Sequence, residues 1–211
     1  MDCAINLRVH SIRYEKIPRE VYIYRNVFYQ SPDFGMQIFF STSSGYPDSP
    51  EVIWIYNNTI YKSTAWGNPM SFYRSYGDKK KHPVRILNNL MYLNNPPFKQ
   101  NFEIFSGNML PDSVKGTVLS GDFGSNTMMK IDKSLFEREM DGKFVELVPA
   151  GNSALVKKGM DLGKEFTIGN VKYPALPGMV AGDTTIGARR GGETLEFQKK
   201  MFEKSEKIFA E

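Results

Sequence analysis

The run from Glu51 to Lys62 constrains the fold more than any other part of this chain. Val52, Trp54 and Tyr56 face one way while Ile53 and Ile55 face the other, the period-two pattern of a β-strand. Asn57-Asn58 follows, and strand chemistry resumes from Thr59. Asparagine tolerates positive φ, so the pair predicts the two-residue turn of a β-hairpin.

Similar signals recur on both sides. Ile5, Leu7 and Val9 alternate with Asn6 and Arg8, and residues 20–29 alternate again around Val21 and Ile23. A short apolar strand is expected at 37–40, before a loop at 41–50 rich in Ser, Gly and Pro. Val84, Leu87, Leu90 and Met91 lie at helical spacing and predict a short helix after Pro83, with a hairpin at Asn88-Asn89 as the competing reading. Strands are expected near 102–105, 115–119, 127–131, 144–148 and 154–157, and a short helix at 134–140. Gly169-Asn170 marks a second hairpin. No internal repeat stands out by inspection.

Residues 174–192 are rich in Gly and Pro and read as an extended arm or a functional loop. A helix is expected from Thr194, a suitable N-cap, to Glu211. Its apolar stripe is Leu195, Met201, Phe202, Ile208 and Phe209. The expected fold is mainly β (α+β). An antiparallel β-sandwich or barrel-like core spans 1–173 with one or two short helices, followed by the arm at 174–192 and the C-terminal helix at 193–211.

Composition narrows the functional classes. The chain has 211 residues, 41% hydrophobic and 24% charged, which argues for a folded core. Its single cysteine, Cys3, excludes an internal disulfide framework and a Cys-rich zinc site. No apolar run is long enough to span a bilayer, and no secretory leader pattern is visible. A soluble protein is expected, in the cytoplasm of a host cell or in a virion, with no membrane partner.

Catalytic chemistry finds little support. The two histidines, His10 and His82, have no evident partners for a triad or a metal site. Asp112, Asp122, Asp132, Asp141, Asp161 and Asp183 fall mostly in turns, where Asp caps backbone donors. Ser120-Gly121-Asp122-Phe123-Gly124 resembles the Gly-Asp-Ser-Gly loop of chymotrypsin-like proteases, but Phe123 stands where the nucleophile belongs. Ile23-Tyr24-Arg25 with Ser41-Thr42-Ser43 resembles the Arg and Ser-Thr-Ser elements of ADP-ribosyltransferases, which hold NAD with the arginine. The Glu-x-Glu before an apolar strand that the family needs is absent, since Glu137-Arg138-Glu139 falls in an expected helix. No cofactor and no metal are expected.

Two basic spots remain, on a net charge of +4. Lys79, Lys80 and Lys81, with Arg85 and nearby tyrosines, offer a nucleic-acid-binding candidate. Arg189 and Arg190 sit among glycines and, with the helical stripe, make a candidate partner-binding surface. The expected function is a structural or assembly protein, a viral or phage particle subunit acting through protein–protein contacts in an oligomer. A small enzyme acting on nucleotides or nucleic acid, and a nucleic-acid-binding module, are the alternatives.

Overall fold

A computed structural model describes residues 3–10, 20–29, 34–41, 52–61, 70–75, 84–92, 103–114 and 125–209; the side chains of the first, third and fifth of these stretches, of Val114 and of 208–209 lie outside what it describes. The strands are β1 (Cys3–His10), β2 (Glu20–Tyr24), β3 (Val27–Tyr29), β4 (Phe34–Ser41), β5 (Val52–Tyr56), β6 (Thr59–Tyr61), β7 (Met70–Ser75), β8 (Val84–Leu87), β9 (Leu90–Met91), β10 (Ile104–Ser106), β11 (Met109–Pro111) and β12 (Thr127–Met129). They form three parallel sheets in the orders β1-β4-β7, β10-β8-β5-β2 and β12-β11-β9-β6-β3. From β1 to β11 consecutive strands fall in different sheets, so each of the first three coils places one strand in each sheet; β10 and β11 stack on them in the second and third sheets, and β12 follows β11 in the third. The architecture is a parallel β-solenoid, whose coils bury their apolar surface against their neighbours.

This overturns the expected antiparallel sandwich or barrel. The difference arises at Asn57-Asn58. A type I′ hairpin needs positive φ at both central residues, whereas here only Asn57 has it, at +48°. One left-handed residue bends the chain round a corner instead of reversing it. Accordingly β5 pairs with β2 and β8, while β6 pairs with β3 and β9. The same corner recurs at Arg25 (φ +55°), Asn88 (+51°) and Gly107 (+68°). Neither the helix nor the hairpin expected at 83–93 forms: β8, a corner at Asn88-Asn89 and β9 occupy that stretch.

Strand composition follows from the layering. Strands buried on both faces read as continuous apolar runs, and Val-Ile-Trp-Ile-Tyr of β5 is such a run. Its inward residues stack by register: Ile23, Ile55, Ile86 and Phe105 fall in one buried row across the second sheet. Phe28, Ile60 and Met91 do the same in the third. The outward residues are covered by residues that follow β12. Trp54, Tyr56, Leu87 and Ile104 pack against Leu162, Phe166 and Leu176. Tyr61, Leu90 and Met109 pack against Ile131, Leu135, Phe136, Leu147, Leu155 and Ile186.

That covering segment departs from expectation in two places. Residues 134–140 are not a helix: a short 3-10 turn at Lys133–Leu135 leads into β13 (Phe136–Asp141), which pairs antiparallel with β14 (Phe144–Pro149). Residues 154–157 form α1 (Ala154–Lys157), not a strand. The Gly169-Asn170 hairpin is present, joining β15 (Phe166–Ile168) to β16 (Val171–Tyr173). The final helix, α2, spans Glu196–Phe209 and so starts two residues after Thr194. The strand expected at 115–119 falls outside the described residues.

Candidate functional site

Each corner contributes two residues with different tasks. The second is asparagine every time: Asn26, Asn58, Asn89, Asn108 and Asn126 stack as a ladder. Asn58 Oδ1 accepts from the backbone N–H and the Nδ2 of Asn26, both at 3.0 Å. Asn89 Oδ1 accepts from the same two groups of Asn58 at 2.9 Å. Asn108 Oδ1 accepts from Asn89 at 2.9 and 3.1 Å, and Asn126 Oδ1 from Asn108 at 3.0 and 3.1 Å. The Nδ2 groups also donate to corner carbonyls, Asn89 to Ile55 and Leu87 at 2.9 Å each. Corner backbone groups that would otherwise lie unpaired in the interior are thereby satisfied.

The first corner residue reaches outward and holds the C-terminal segment. Asn57 Nδ2 donates to Thr185 O at 2.6 Å. Asn88 clamps Met160 from both sides, donating to its carbonyl at 2.7 Å and accepting from its N–H at 2.9 Å. Arg25 donates through Nε to Ala188 O at 3.1 Å and pairs with Glu193 at 2.5 Å. Ala188 N–H donates to Thr59 Oγ1 at 2.9 Å, and Gly187 N–H to Asn88 O at 2.8 Å. At the next corner glycine is required, because a Cβ on Gly107 would lie 2.5 Å from Asn88 Oδ1. Residues 174–195 therefore run along the solenoid's edge, with Leu176, Ile186, Ala188 and Leu195 buried against their own chain.

The sequence-predicted residues divide accordingly. Arg190 lies 2.9 Å from Asp183, in ion-pair range though off the hydrogen-bond line. Arg189 is half-buried; burial lowers its pKa, Glu193 acts the other way, and its Nε has no hydrogen-bond partner. Leu195 is buried, Phe202 is half-buried against Phe144, and Met201 is exposed. Ile208 and Phe209 lie in α2, with side chains outside the described set. Arg85 is engaged internally: its guanidinium sits 4.4 Å from the Trp54 ring centre and 4.9 Å from that of Tyr173, and it pairs with Glu103. Lys79, Lys80 and Lys81 fall outside the described residues, as do His82, Thr42 and Ser43.

Nothing described converges on a reaction centre. Among the described residues no group of three His, Cys, Asp or Glu is placed to hold a metal ion. Arg25, the residue matched to the NAD-holding arginine, is spent on Ala188 and Glu193. Glu137 and Glu139 lie on strand β13 rather than a helix. Tyr22 is pushed up to about 12 by burial and by its bond to Glu20, and burial raises Tyr56 further, so neither is a base at neutral pH. No described helix is long and apolar enough to cross a membrane.

Sequence reading missed the ladder. The available signal was an asparagine just before a short strand at each corner, at separations of 32, 31, 19 and 18 residues. Comparison with protein-family models, curated proteins and solved structures finds no match for this chain.

Proposed function

We propose that this chain is an assembly module whose solenoid end accepts a further coil of parallel β-structure. The observation that carries the reading is the first rung. Asn26 Oδ1 occupies the ladder position whose equivalents in Asn58, Asn89, Asn108 and Asn126 each accept two bonds, yet it has no partner among the described residues. Among the described residues, strands β2 and β3 are likewise paired on one side only. Unpaired strand edges are templates for other strands. A strand pair turning through an asparagine would fill Asn26 Oδ1 as Asn26 fills Asn58. A subunit of a viral or phage particle is a setting to which this reading extends.

The edge itself supplies the test. Thr59 N–H bonds to Asn26 O at 2.9 Å, so strand alternation turns the Val27 N–H toward the open side. Val27→Pro removes that donor while leaving the pairing with β6 intact, since proline is tolerated on an edge. Light scattering is expected to show a mass rising above 24.1 kDa with concentration for the native chain and staying there for Val27→Pro. A native chain that remains at the monomer mass throughout overturns the reading.

A further inference from the structure

Helix α2 has two apolar faces, and only one is used. Leu195 is buried, Phe202 packs on Phe144 with ring centres 5.8 Å apart, Lys199 pairs with Asp141, and Glu206 lies 3.3 Å from Lys143. These positions, spaced by four, three and four residues, form the face that seats the helix on the β13–β14 hairpin. Phe197 and Met201 lie one turn apart on a different face, 74% and 52% exposed. A phenylalanine held that far in water is a cost unless something covers it.

Charge identifies the cover. Lys200, Lys204 and Lys207 are exposed along one side of this second stripe, and none has a carboxylate within ion-pair range among the described residues. Antiparallel pairing of α2 with its own copy would oppose lysine to lysine along the seam, which disfavours that homotypic coil. Carboxylates along one side of an apolar ridge would match it.

We propose that the outer face of α2 docks an acidic amphipathic segment of another protein, with Phe197 and Met201 as apolar anchors and Lys200, Lys204 and Lys207 as charge guides. The site is remote in sequence from the Asn26 edge and does not depend on coil stacking. Anchors of this kind carry the affinity, while flanking charges set orientation and on-rate.

The test uses the full chain and a fluorescein-labelled helical peptide of about 14 residues, with leucines at i, i+4 spacing flanked by glutamates. Binding by fluorescence anisotropy is expected, weakening with added salt. It is expected to weaken about tenfold or more in Phe197→Ser/Met201→Ser and in Lys200→Glu/Lys204→Glu/Lys207→Glu. These positions are exposed, so circular dichroism of both variants should be unchanged. Absent binding, equal binding by the lysine-reversed variant, or equal binding of a scrambled peptide that keeps the charge but breaks the stripe each overturns the proposal. So does preferential binding to vesicles containing phosphatidylserine, or loss of the exposed stripe into a dimer of the chain.

Discussion

Asn89 donates its side-chain amide to Asn108 Oδ1 at 3.1 Å, 19 residues ahead, while its own Oδ1 receives the amide of Asn58 from 31 residues behind. Both bonds run along the solenoid axis, so one short side chain ties three successive coils together.

Removing that side chain should be costly. Asn89→Ala leaves the buried Asn58 backbone N–H without its acceptor and removes one bond each from Asn58 Nδ2, Asn108 Oδ1 and the Ile55 and Leu87 carbonyls. A buried donor stranded in this way costs about 1–3 kcal/mol and the other lost bonds add to it, so a loss of about 2–4 kcal/mol is expected. Asn26→Ala, at the half-exposed end, should cost about 1 kcal/mol. Urea unfolding of the two variants checks the contrast, and equal losses would contradict the ladder account.

Gly187 joins the wrap to the corner. Its φ is +96°, and a Cβ there would lie 2.6 Å from Thr59 Oγ1, the acceptor of the Ala188 N–H. Gly187→Ala should therefore destabilise by about 2–4 kcal/mol. Adding Thr59→Ala should not restore the native value, because the backbone strain stays and the Ala188 bond is lost. Hydrogen exchange is expected to quicken first at 183–195, where the segment meets the solenoid.

Acid should act through turn carboxylates. Asp132 Oδ1 accepts from Ser134 Oγ at 2.5 Å and from Ser134 N–H at 2.9 Å, which, with Lys130 alongside, lowers its pKa from 3.8 to about 2. A depressed folded value means the contribution is present above the unfolded pKa and is lost as pH falls from about 4 through about 2. An NMR titration of the Asp132 carboxyl should show the low midpoint in the native chain and a midpoint closer to 3.8 in Ser134→Ala. Identical midpoints would contradict the assignment.

Arg85 cements the wrap over the second sheet. It lies between Trp54 of β5 and Tyr173 of β16, and Trp54 and Tyr173 meet edge-on at 5.7 Å. Arg85→Lys keeps the charge but loses the planar stack, and should cost about 1 kcal/mol. Arg85→Ala should cost more and shift Trp54 fluorescence in a Trp66→Phe background.

The sequence carried the strands better than their arrangement. Alternation located β1, β2 and β5, because every strand points successive side chains to opposite faces whatever its partner. It said nothing about direction, since Asn57-Asn58 serves a hairpin or a corner according to the φ of one residue. The repeat was hidden by its uneven spacing: coils containing β4 and β7 are longer than those that follow. Residues 134–140 read as a helix because Leu135, Phe136 and Met140 suit either period, and pairing with β14 decided for the strand. For the candidate partner residues, sequence fixed the helix but not its seating. Which of Phe197, Met201 and Phe202 faces outward depends on Phe144, nearly 60 residues away.

Scalar couplings across hydrogen bonds measure the stacking most directly. In uniformly labelled protein, the backbone nitrogen of Asn26 should couple to Cγ of Asn58, that of Asn58 to Asn89, that of Asn89 to Asn108, and that of Asn108 to Asn126. If the Asn57 and Asn58 amides instead couple only within the adjoining strands, the coils do not stack and the solenoid account is wrong.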